Sequence, residues 1–271
     1  MDAFIPRALA AAAIAWAGWC AADVQAEVRP KRAALEGETV AAVIWVGNSF
    51  FYYNNGIHRL VGGLASADKG RLRNTMVTIS GAGIDWHDLE SYLKPGGRLG
   101  GYSFVGDNEI VFNKPGRQFD TAVIMDCSQC PIHPQLKDIF REHAKKNAAV
   151  ARSHGVRPVL FMSWAYKDAP DMTAKLADAY TAVANDSDML VIPAGLAFAR
   201  AIAKRPELEL YQPDKRHPSL AGSYLAACAS YAALTGRSPV GNSYLGGVEP
   251  QLASFLQSVA WEAVQAYYKV K

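Results

Sequence analysis

Val43-Ile44-Trp45-Val46-Gly47-Asn48-Ser49-Phe50 is the stretch that decides the fold. The apolar run from Val40 to Val46 is of strand length and reads as a strand covered on both faces, as strands of parallel sheets are. Glycine ends it and a serine follows two residues later. That places Ser49 on a tight turn, where its hydroxyl and backbone N–H can face a cleft. On these residues alone, a serine that caps the next helix explains the pattern as well.

Strand-length and helical patterns alternate outward from this point. Asn55 to Ala67 carries Ile57, Leu60, Val61 and Leu64 at helical spacing. Thr75 to Ile79 is a second strand, closed by Ser80-Gly81-Ala82-Gly83. A glycine-rich region follows, then a strand pair around Tyr102 to Phe112, read as an excursion at the sheet edge. Further strands are predicted at Thr121 to Met125, Val156 to Met162 and Met189 to Pro193. Helices are predicted at Ile139 to Ser153, Met172 to Ala184, Leu196 to Ala203, Ser219 to Leu234 and Gln251 to Tyr268. This order argues for an α/β protein, a central parallel sheet with helices on both faces. In such sheets functional groups gather at the carboxyl ends of the strands.

The 271 residues are 50% hydrophobic and 20% charged, enough to bury a full core and too apolar for global disorder. The formal charge of +3 is small, and Lys and Arg form no cluster of the kind a nucleic-acid surface needs. Arg7 precedes an Ala-rich apolar run from Ala8 to Trp19, and Val24-Gln25-Ala26 offers small residues for cleavage before Glu27. This is the anatomy of a secretory signal peptide over residues 1–26, leaving 27–271 as a single domain. The expectation is an exported protein, periplasmic or secreted, without stable membrane insertion after cleavage.

A second polar cluster lies near the other end, in Tyr211-Gln212-Pro213-Asp214-Lys215-Arg216-His217-Pro218-Ser219. A carboxylate three residues from a histidine can accept its hydrogen bond, fix its tautomer and stabilise the imidazolium it becomes on taking a proton. Taken alone, Asp-x-x-His also fits a surface turn that starts a helix.

Together the two clusters resemble the SGNH (GDSL-like) hydrolase superfamily. Gly47-Asn48-Ser49-Phe50 is similar to its first block in a GNS variant, and Asp214-Lys215-Arg216-His217-Pro218 to its last. Pro193 to Gly236 is similar to one bacterial subgroup. The resemblance implies a three-layer α/β/α sandwich of flavodoxin-like type and a serine ester hydrolase with Ser49 as nucleophile, His217 as base and Asp214 as its partner. It further implies an oxyanion hole from the N–H groups of Ser49 and Gly81, with Gly83 as second choice. No metal or organic cofactor is implied. The substrate is expected to be a small-molecule or glycan ester, with an acylated or acetylated glycan favoured. Where the family places Gly-x-Asn-Asp, this chain has Asp126-Cys127-Ser128-Gln129-Cys130-Pro131, so the third oxyanion donor falls to Gln129 or to the Ser128 hydroxyl.

Cys127 and Cys130 read first as a disulfide stiffening this loop, then as free thiols, and last as a metal or redox site, for which no fourth ligand is spaced nearby. Cys228 reads as a small buried hydrophobe. Phe50, Phe51, Tyr52 and Tyr53 are candidates for a sugar or acyl platform, and Trp86-His87 for the cleft wall. His58, His143 and His154 read as surface residues. The competing function is a non-catalytic glycan-binding or assembly protein on the same fold, favoured by the altered third block. A thiol–disulfide protein ranks third.

Overall fold

The structure, a computed structural model, describes residues 27–99, 102–112 and 116–269. The expected leader lies outside the described residues. Among the described residues, no helix is long and apolar enough to cross a membrane.

Five strands form one sheet: β1 (Ala42–Gly47), β2 (Arg73–Thr78), β5 (Thr121–Ile124), β6 (Arg157–Phe161) and β7 (Leu190–Ile192). Their order is β2-β1-β5-β6-β7, and every pairing is parallel. Residues of β1 alternate between two cores: Val43 and Trp45 face one, Ile44 and Val46 the other, and all four are fully buried. That is why the run shows no polar position.

One face is covered by helices α2 (Ile57–Ala67), α6 (Ala194–Lys204), α7 (Leu220–Thr235) and α8 (Pro250–Tyr268). The other is covered by α3 (Leu89–Leu93), α4 (Lys137–Ser153) and α5 (Met172–Asp186). The result is a three-layer α/β/α sandwich with the flavodoxin-like strand order. The chain crosses to the other side of β1 after β2. The crevice this leaves between the ends of β1 and β5 is where such sheets bind ligands, and Ser49 stands at its lip.

The strand pair β3 (Tyr102–Gly106) and β4 (Glu109–Phe112), read in the sequence as an excursion, stands apart from this sheet. The two strands pair only with each other, antiparallel, as a separate ribbon. Asp107-Asn108 turns them, with Asn108 in the left-handed region at φ 60°. All four residues of β4 are exposed, so that strand has no buried face to dock.

Candidate active site

Ser49 is the first residue of a short helix, α1 (Ser49–Tyr52), and the cap is Asn48, whose side-chain oxygen accepts from the Phe50 N–H at 3.2 Å. The Asn48 amide donates to the carbonyls of Ala82 (3.0 Å) and Asp126 (3.1 Å). One buried side chain thus ties together the loops that follow β1, β2 and β5. Register brings these loops side by side: the Ile79 N–H donates to the Gly47 carbonyl at 3.1 Å, and the Met125 N–H to the Val46 carbonyl at 3.0 Å.

His217 Nε2 lies 2.8 Å from Ser49 Oγ, and Nδ1 lies 2.5 Å from Asp214 Oδ2. A carboxylate only accepts, so Nδ1 carries the proton and Nε2 offers its lone pair to the serine hydroxyl. Asp214 Oδ1 accepts the Arg216 and His217 N–H groups at 2.9 and 3.0 Å. Partial burial pushes this carboxyl up. The hydrogen bonds from the His217 ring and from the two N–H groups outweigh it and hold the carboxyl at about 2. It is therefore ionised at neutral pH. The loop is held from behind by Trp164, whose Nε1 donates to the Arg216 carbonyl at 2.9 Å. Phe50 stacks on the same indole with centroids 4.7 Å apart.

Gly81 occupies the exposed turn after β2 at φ 71°, a conformation that favours glycine. Gly83 has an ordinary extended backbone and closes against Asp85 and Asp126: a methyl group there would meet Asp85 Oδ1 at 2.5 Å. Gln129 is exposed on the loop after β5, between Cys127 and Cys130, which are joined by a disulfide. Ser128 Oγ is engaged with the Tyr166 hydroxyl at 2.6 Å. Asp126, Cys127 and Cys130 form the one cluster of metal-ligating types among the described residues, and its sulfurs are bonded to each other. Cys228 is a buried free thiol, and burial pushes its pKa up.

Three residues matter more than their sequence context shows. His87 is buried rather than part of the cleft wall. Its Nε2–H donates to the Gly47 carbonyl at 2.9 Å, and burial lowers its pKa, so it supports the serine turn as a neutral donor. Asp126 is buried, with Oδ1 accepting the Ile84 N–H (2.8 Å) and the Cys127 N–H (2.7 Å). Burial pushes its carboxyl up to about 6 against those two bonds. Asn48 is the third. Its role could have been suspected only from its place before Ser49, because its partners come from segments 34 and 78 residues away. Among the aromatic residues, Phe50 and Phe51 belong to the core, while Tyr52 and Trp86 are exposed. His58, His143 and His154 are half-buried, and His154 Nε2 lies 2.9 Å from Glu90 Oε1.

No family model and no curated protein sequence matches the chain. Solved structures do. A DUF4886 family protein from Bacteroides uniformis superposes with a TM-score of 0.57 at 20% identity, over 85% of this chain and 97% of that one. A candidate SGNH hydrolase from Slackia heliotrinireducens gives 0.51 at 23%, over 72% and 100%. A catalytic mutant of an acetylxylan esterase from Geobacillus stearothermophilus gives 0.52 at 14%, over 74% and 96%. At these identities the likeness is one of fold, and the fold that this chain shares with them is the three-layer α/β/α sandwich with a central parallel sheet.

Proposed function

We propose that the protein is an exported serine ester hydrolase acting on an acylated or acetylated glycan. The observation that carries the reading is the unbroken hydrogen-bond chain from Ser49 Oγ through His217 to Asp214, at 2.8 and 2.5 Å. His217 takes the serine proton as Oγ attacks the ester carbonyl, and Asp214 stabilises the imidazolium. The N–H groups of Ser49 and Gly81 receive the developing oxyanion. Gln129, exposed on the loop after β5, is the proposed third donor, with the Ser128 hydroxyl as the alternative. His217 then protonates the leaving alcohol, and water attacks the acyl-enzyme by the same route in reverse.

The glycan preference is supported by Tyr52 and Trp86, exposed on the segments that follow β1 and β2, since sugar rings pack on aromatic faces. The fold shared with an acetylxylan esterase is in keeping with it. The reading is tested by hydrolysis of p-nitrophenyl acetate and of acetylated xylo-oligosaccharides by the purified chain, beside Ser49→Ala and His217→Ala. Turnover is expected to fall by about 10³-fold or more in both variants. Turnover that survives Ser49→Ala, or wild type inert on both substrates, would return the fold to the role of a glycan-binding protein.

A further inference from the structure

The nucleophile segment and the histidine loop meet at a second place besides the Ser49–His217 hydrogen bond. After α1 the chain makes a single 3-10 turn, Tyr53–Asn55. The Tyr53 ring lies flat on the His217 imidazole, with centroids 4.3 Å apart and planes 11° from parallel. Phe50 meets the same imidazole edge-on, at 5.5 Å and 72°. The next residue, Asn54, sits in the left-handed region at φ 54°, ψ 45°. Asparagine tolerates that conformation better than other side-chain-bearing residues do. Its amide donates to the Pro218 carbonyl at 3.0 Å and to Ser223 Oγ at 2.8 Å. The residue after Tyr53 therefore grips the residue after His217.

An imidazole hangs from its Cβ by a rotatable bond, and rotation about Cβ–Cγ changes the plane of the ring. That rotation swings Nε2 and its lone pair away from Ser49 Oγ and Nδ1 away from Asp214. A parallel ring against one face and an edge against the imidazole remove that freedom. The ring face also attracts the positive charge that forms when His217 accepts the serine proton. We propose that Tyr53 is a positioning residue for His217, fixing the plane of its ring, and that Asn54 clamps it there through Pro218. This rests on the reading of His217 as general base. The contact uses the face of the ring and not its hydroxyl, so phenylalanine preserves it.

The test uses the full chain as wild type, Tyr53→Phe, Tyr53→Ala and Tyr53→Leu. Leucine restores bulk without a flat face and guards against a simple packing defect. Three quantities are read: the rate at which a small fluorophosphonate labels Ser49, kcat and KM for p-nitrophenyl acetate, and the low-field proton resonance of the Asp214–His217 hydrogen bond. Alanine and leucine are expected to lower the labelling rate and kcat about five- to tenfold with KM unchanged, and to broaden the resonance. Phenylalanine is expected to stay within about twofold of wild type, since it keeps the ring face. Labelling at the wild-type rate in Tyr53→Ala overturns the proposal, as does phenylalanine as slow as alanine. A raised KM with kcat intact also overturns it, since that assigns Tyr53 to the substrate. A wild type that the fluorophosphonate does not label overturns the hydrolase reading itself and this inference with it. That result is recognisable because it appears before any variant is compared.

Discussion

Asn48 has three hydrogen-bond partners on three segments, and its side chain is buried. Replacing it by alanine strands the Ala82 and Asp126 carbonyls without their donor. Asn48→Ala is expected to lose about 1–3 kcal/mol of stability in urea unfolding and to lose kcat out of proportion, since the loops it joins carry the proposed oxyanion donors. A fully active variant would show that the three loops keep their places without the Asn48 side chain. Asp126 gives a prediction with a sign. Its carboxyl titrates at about 6 in the fold against a usual 3.8, so between those values the folded chain holds the extra proton. The stability this group contributes is complete below about pH 4 and is lost as pH rises through about 6. Asparagine keeps the acceptor for Ile84 and Cys127 and places no charge at Oδ2, which has no hydrogen-bond partner among the described residues. Asp126→Asn should therefore match wild type near pH 4 and exceed it at pH 7 by an amount on the order of 1–3 kcal/mol. Equal deficits at both pH values would contradict this. Ser49, Asp214 and His217 were candidates in the sequence only through two short motifs that together resemble a known family, since a serine after a strand also fits a helix cap and Asp-x-x-His also fits a surface turn. Asn48, Asp126 and Tyr53 could not be read the same way, since their partners are distant in the chain.

The strand-end loops meet only because the elements behind them fit closely. A Cβ on Gly47 would stand 2.9 Å from the Phe51 ring and 3.3 Å from the Met125 Cβ. Gly47→Ala is expected to cost about 1–3 kcal/mol in thermal or urea unfolding as the ring is displaced, and an unperturbed midpoint would show that the ring has room to yield. The Cys127–Cys130 disulfide encloses Ser128 and Gln129 in a very short loop, so the unfolded-chain entropy it removes is small, about 2 kcal/mol at most. Its main consequence should be for turnover. Cys127→Ser/Cys130→Ser is expected to lower kcat several-fold while unfolding stability falls by no more than about 2 kcal/mol, and a larger stability loss with kcat intact would make the bond a plain stabilising link. At this scale most elements were legible, because fully apolar strands and amphipathic helices carry their period in the sequence. The ribbon of β3 and β4 was legible as an excursion, though not where it sits against the sheet. Its pairing is local, made by the turn at Asp107-Asn108, and nothing in an alternating pattern says whether a hairpin joins a neighbouring sheet.

Across the whole molecule, α7 is the helix the others are built around. From Gly222 to Leu234 every residue is buried, and α7 packs against α2, α6 and α8. It lacks a polar face, so it is stable only when surrounded. Ending the chain after Val248, before α8, removes one of its covers, and the product is expected to bind a hydrophobic dye and lose its near-ultraviolet dichroism while keeping helix. A truncated chain with native dichroism would show that α2 and α6 suffice. The same long-range closure has a temporal consequence for the site. Asp214 and His217 are neighbours in the chain, but Ser49 lies 168 positions before His217. The proposed nucleophile therefore leaves the ribosome early and its base late. On the proposed roles, a chain still being made is chemically silent, and it gains the power to cut esters only once both ends of the domain have come together.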